Sequence, residues 1–125
     1  MNVTIKATNT TLTPSIDEYV RKRVGTFDKL IDSEDTSARV AVEVGKDTEH
    51  HKSGDIFFAE INLHIAGRDF RTRRDGSDIY SAIDIAKDEI MDAVRGYKGR
   101  QATMLRRGGQ AIKNMIRGFP FRRKR

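Results

Sequence analysis

The feature that most constrains this chain is a run of strict alternation. Over residues 57 to 65, the apolar Phe57, Ala59, Ile61, Leu63 and Ile65 alternate with Phe58, Glu60, Asn62 and His64. Successive strand side chains point to opposite faces, so one face of this segment is apolar and the other largely polar. A strand of that kind needs a sheet covered on one side and wet on the other. Three further segments repeat the pattern. Val3, Ile5 and Ala7 alternate with Asn2, Thr4, Lys6 and Thr8, and Val40, Val42 and Val44 with Arg39, Ala41 and Glu43. Gly67-Arg68 makes a tight turn into a short fourth strand over residues 69 to 73, with Phe70 and Thr72 inward and Arg71 and Arg73 outward. Residues 45 to 55 are polar and read as a loop.

The period becomes helical in two places. Ile16, Tyr19, Val20, Val24, Phe27, Leu30 and Ile31 share one stripe. Thr13 suits the N-cap and Pro14 the first helical position, where a missing N–H costs nothing. Asp17 and Glu18 complement the dipole in the first turn. Gly25 weakens the middle of this helix, and residues 32 to 37 are a polar stop. After residues 75 to 78 comes a longer stripe of Ile79, Ile83, Ala86, Ile90, Val94 and Tyr97, weakened at its end by Gly96 and Gly99. The order is β-α-β-β-β-α. One apolar face per element predicts an α+β fold, a single four-stranded sheet with both helices packed on one face. The expected domain covers residues 1–100. Residues 101–125 form a basic tail, expected to be flexible in the free chain and to order on a partner.

Charge narrows the partner. All eighteen acidic residues lie at or before Asp92, while residues 95 to 125 hold eleven Lys or Arg and no acid. The first 94 residues therefore carry a net −5 and the remainder +11. So steep an asymmetry addresses a polyanion, either nucleic acid or an acidic membrane surface. No apolar run approaches the roughly 20 residues of a membrane span, and the N-terminus lacks the apolar block of a secretory signal. The absence of cysteine excludes disulfides and thiolate metal sites and suits a cytoplasmic location.

No catalytic constellation stands out. His50-His51 beside Glu49 sits in a polar loop, where solvation accounts for it, and His64 lies on the polar face of its strand. Asp17-Glu18 and Asp88-Glu89 are helix-surface pairs, and neither Gly76-Ser77 nor Gly108-Gly109 fits a phosphate loop. The chain is therefore expected to be no enzyme and to use no cofactor, metal or small-molecule substrate.

The positive features are cationic. Arg21, Lys22 and Arg23 lie on the polar side of the first helix. Arg68, Arg71, Arg73 and Arg74 cluster around the fourth strand, where guanidinium forks suit phosphate oxygens. The tail adds Arg106, Arg107, Arg117, Arg122 and Arg123. Exposed aromatic residues are few, so recognition of backbone and shape is expected over reading of bases, which favours structured RNA. A general double-stranded RNA binder remains an alternative. A third reading is association with an anionic membrane through Ile112, Met115, Ile116, Phe119 and Phe121 among the tail arginines.

The segment Asp78-Ile79-Tyr80-Ser81-Ala82-Ile83-Asp84 resembles the D-x-Y-x-A-I-D signature of the ribosome hibernation-promoting factors. Asn9, Thr13, Tyr19-Val20, Lys22-Arg23, Gly67, Arg95, Tyr97-Lys98 and Arg100 are similar to that family too, so the resemblance covers roughly residues 1 to 100. It implies the same β-α-β-β-β-α fold. It also implies a translation inhibitor that binds the rRNA of the small ribosomal subunit at the decoding centre and covers the messenger path and the A and P tRNA sites. On matching positions it implies RNA contacts by Lys22, Arg23, Arg71, Arg95, Lys98 and Arg100. The chain departs from the family at Glu89, Asp92 and Gly96, which stand at usually basic positions, and at Arg73 and Arg74, where the family is commonly acidic or neutral. The resemblance thus implies a short form with an unusual basic extension, monomeric when free, because the tail is too short for the dimerisation domain of long-form members.

Overall fold

The computed structural model describes residues 1–47 and 56–106, with backbone alone at 105 and 106. Four strands, β1 (Asn2–Thr8), β2 (Arg39–Asp47), β3 (Ile56–Ile65) and β4 (Arg68–Gly76), form one sheet in the order β1-β2-β3-β4. β1 and β2 are parallel, so the chain crosses over between them through α1 (Pro14–Val24), and the remaining pairs are antiparallel. α2 spans Ile79–Arg106. The expected α+β order is the observed one.

The compact units are Met1–Ala93 and Val94–Arg125. In the first, Val40, Val42, Val44, Ala59, Ile61, Leu63 and Ile65 of the sheet are buried, as are Ile16, Val20 and Val24 of α1 and Ile79, Ala82, Ile83, Ala86 and Ile90 of α2. Thr72, on the same sheet face, donates to Glu89 of α2, and Tyr19 of α1 donates to Asp84 of α2. Both helices therefore cover one side of the sheet. Capping follows the sequence: Thr13 Oγ1 accepts the Ile16 N–H at 3.1 Å, with Pro14 opening α1.

Four boundaries differ from the sequence pattern, the first being β4, which runs from Arg68 to Gly76 and not only over residues 69 to 73 because β3 pairs with it along that length. The first helix ends at Val24, and Gly25–Leu30 is a 3-10 segment. Thr26 Oγ1 captures the Arg23 carbonyl at 2.7 Å, and the tighter winding puts Val24, Phe27 and Leu30 at three-residue spacing on one side. Phe27 is fully buried, and its truncation to alanine would cost about 3–5 kcal/mol. The loop expected from Gly45 does not begin there, because β2 continues to Asp47 opposite Ile56, Phe57 and Phe58. Partners on β3 supply the ladder that these polar residues do not advertise. The rest of the expected loop segment, with His50 and His51, lies outside the described residues. Finally, α2 passes Gly96 and Gly99 and continues to Arg106, carried by good helix formers from Gln101 onward.

The turn between β3 and β4 has two central residues, Ala66 and Gly67, both in the left-handed region with φ of 53° and 73°. This is the geometry that matches the twist of a tight hairpin. It sets Ile65 opposite Arg68 and hence Glu60 opposite Arg73 and Asn62 opposite Arg71.

Candidate nucleic-acid interface

Three cationic regions were expected, and the structure treats each differently. On α1, Lys22 is exposed. Arg21 pairs with Asp17 at 3.0 Å, one turn away. Arg23 is drawn inward: its Nη2 donates to the Tyr19 hydroxyl at 2.9 Å, its guanidinium lies 4.7 Å from the Tyr19 ring centroid, and its Nε sits 3.1 Å from Asp84 Oδ1 without hydrogen-bond alignment. The Tyr19 hydroxyl in turn reaches both Asp84 oxygens, at 2.9 and 2.8 Å. Tyr19 and Asp84 hold the Arg23 pKa above its ordinary value.

That cluster explains the segment from Asp78 to Asp84. Asp78 caps α2, accepting the Ser81 N–H at 2.7 Å. Tyr80 meets the Tyr19 ring edge to face, with centroids 4.9 Å apart. Ala82 and Ile83 are fully buried, and Asp84 ties α1 to α2. The motif thus joins the two helices, and Arg23 spends part of its charge within the fold. Periodicity alone missed the roles of Tyr19 and Asp84, although a buried-stripe tyrosine facing a helix-start aspartate was the available signal.

On β4 the four arginines divide by face. Arg71 and Arg73 point to the open side of the sheet, where both meet Glu60, at 2.8 and 3.6 Å. Arg73 also lies over the Phe58 ring, 3.8 Å from its centroid. Phe58, on the face expected to be wet, is only 3% exposed. It is opposite Gly45, which leaves room for the ring, and Arg73 covers it. Arg74 points to the helix side and pairs with Glu89 at 2.5 Å, while Thr72 donates to the other Glu89 oxygen. Arg74 first, and then Thr72, hold the Glu89 carboxyl below its ordinary range. Arg74 and Glu89, both departures from the resembled pattern, are therefore partners. Arg68 lies 5.8 Å from the Phe70 ring centroid.

In the second unit, Arg95, Lys98 and Arg100 are all exposed on α2. Arg95 and Lys98 are neighbours at three-residue spacing. The change of charge falls where the compact units divide, since the last acid is Asp92 and the first unit ends at Ala93. The Arg106 side chain, and Arg107, Arg117, Arg122 and Arg123 entirely, lie outside the described residues. Among the described residues no group of three or more His, Asp or Glu could hold a metal ion.

A four-stranded sheet with two helices on one face, joined through Tyr19, Asp84 and Tyr80 and bearing arginine on its last strand, defines a small α+β domain with a cationic sheet edge. The model of the family described as sigma 54 modulation protein / S30EA ribosomal protein matches residues 3–102, and the chain belongs to that family. Among curated proteins it is 24% identical over 110 residues to a ribosome hibernation promotion factor of Bacillus subtilis, covering 87% of this chain and 54% of that protein. It is 27% identical over 101 residues to one of a Picosynechococcus strain, covering 78% and 49%. The chain thus spans about half the length of these relatives. Its fold is similar to the N-terminal domain of Thermus thermophilus Protein Y, with a TM-score of 0.60, 23% identity, and 78% of this chain and 99% of that one covered. It is also similar to a ribosomal subunit interface protein of Coxiella burnetii, with a TM-score of 0.63, 13% identity, and coverage of 79% and 99%.

Proposed function

We propose that this protein is a non-catalytic regulator of translation that binds the small ribosomal subunit at the decoding centre and blocks the messenger path and the A and P tRNA sites. The observation that carries this reading is the uninterrupted positive segment that begins on α2 with exposed Arg95, Lys98 and Arg100. Eleven cations with no acid among them repel one another until a polyanion neutralises them. Membership of the family supports a ribosomal partner, and the names of the relatives support hibernation as the context. Lys22 and Arg71 add exposed charge from the first unit, while Arg23 and Arg74 act mainly within the fold. The free chain is monomeric and works in the cytoplasm. Among the described residues, no helix is long and apolar enough to cross a membrane.

Sucrose-gradient co-sedimentation with separated ribosomal subunits tests this. The protein should travel with the small subunit, and messenger RNA should displace it. Equal displacement by any RNA duplex would favour a general double-stranded RNA binder, and recovery with anionic vesicles in place of subunits would favour a membrane role.

A further inference from the structure

The open face of the sheet carries an arrangement that phosphate binding alone does not require. Arg73 is backed by an aromatic ring, with its guanidinium carbon 3.8 Å from the Phe58 centroid. Glu60, whose side chain is only 12% exposed, anchors Arg73 at 3.6 Å and Arg71 at 2.8 Å. Asn62 adds a 3.4 Å contact to the same carboxylate. Yet the Arg73 side chain is 47% exposed. The guanidinium carbon thus lies over the Phe58 ring while about half of the side chain stays open to solvent. A planar cation held in place against a ring and still partly exposed can stack on another π system.

The surroundings give that platform a direction. Along β4 the outward residues run Asp75, Arg73, Arg71, Asp69, at about 7 Å per pair of residues. Asp75, opposite Phe58, is acidic and repels a phosphate from one side of the platform. Asp69 is occupied by His64, with Nδ1 and Oδ1 2.7 Å apart. Arg71, 69% exposed, uses one contact to Glu60 and has further donors for an anion.

We infer that Arg73 on Phe58, together with Arg71, is a subsite for one unpaired nucleotide of single-stranded RNA, the base stacking on Arg73 and the adjoining phosphate meeting Arg71. The ring of this site is itself buried, so the aromatic residue would face the ligand through an arginine. The subsite deepens the RNA-binding reading and rests on it only for the class of ligand.

The test measures affinity of the full chain for an unstructured RNA decamer and for the same backbone with abasic internal positions. The base-bearing strand should bind about tenfold more tightly, within the range of one base–side-chain stack. Arg73→Lys keeps the charge and removes the planar face, so this preference should fall close to one while abasic binding stays put. Arg71→Ala should weaken both strands alike and lower the salt slope by about 1. Phe58→Leu, which removes the ring behind the arginine, should reduce the preference in a protein whose thermal unfolding confirms that it folds. An unchanged preference in Arg73→Lys, or no preference in the parent chain, overturns the subsite. Self-association lost in Arg73→Lys without any base preference would also overturn it, in favour of a second copy as the occupant. Co-sedimentation of the same proteins with small subunits reads the broader proposal separately: normal ribosome binding with no base preference sinks the subsite alone.

Discussion

Ala66 holds a left-handed backbone, φ 53°, that an L-residue with a Cβ adopts at a cost of about 1–2 kcal/mol. The hairpin register requires it, and Asp35 compensates by accepting the Ala66 N–H at 2.8 Å. Ala66→Asn should therefore stabilise the protein by about 0.5–1 kcal/mol in urea unfolding, because asparagine tolerates this region better. Glu89 gives a pH prediction. Its carboxyl is held low by Arg74 and Thr72, so the unfolded state binds the proton more readily than the native state. The stability from this pair is complete above the ordinary glutamate pKa of about 4.3 and is lost as pH falls through the lowered native value. Glu89→Gln should flatten this part of the acid limb, leaving the part due to Asp35, whose carboxyl is lowered by the Ala66 N–H and by Ser37. Unfolding curves taken at neutral pH and in steps through the acid range check it. At this scale the sequence was partly legible. Once Ala66-Gly67 is recognised as the two-residue turn, counting outward pairs Glu60 with Arg73. The rotation that lays Arg73 on Phe58 depends on three strands at once, and no local pattern announces it.

The elements were legible wherever burial was one-sided. β1, β3 and the start of α1 alternate or recur at the period that their single covered face demands. The exceptions are segments whose state is set by distant partners. β2 runs through Gly45, Lys46 and Asp47 because β3 pairs with them, and Gly45 is where β1 also comes close. A Cβ at Gly45 would overlap the Thr8 carbonyl oxygen and come within 2.9 Å of the Phe58 ring. Gly45→Ala should thus destabilise by about 1–3 kcal/mol or more through overpacking. Amide exchange should locate the loss at the β1–β2 pairing, and uniform exchange across all four strands would argue against this placement of the strain. The change from α1 to the 3-10 segment was hidden for a similar reason. Phe27 satisfies both a helical and a three-residue spacing, so the pattern alone does not distinguish them, and the Thr26 hydroxyl bonds the Arg23 carbonyl where the winding changes.

For the whole molecule, the dominant fact is electrostatic and was visible in the sequence: a first unit of net −5 and a remainder of +11. The candidate site was less visible, because charge counts cannot separate cations committed to Asp84, Glu89 or Asp17 from those turned to solvent. Cations beyond Asp92 are expected to dominate RNA affinity. Replacing Arg95, Lys98 and Arg100 together by glutamine should lower the slope of log K against log salt by about 2–3 units on duplex-containing RNA, each lost phosphate contact being worth about 0.9. Replacing Arg23 or Arg74 should change that slope little and show mainly as lost stability. The most direct measurement is the affinity of the intact chain for isolated small ribosomal subunits across a salt series, with and without messenger RNA. Tight binding at low salt, a steep linear loss with log salt, and displacement by messenger RNA are expected. Binding that ignores salt, or that messenger RNA leaves undisturbed, would contradict the proposed function.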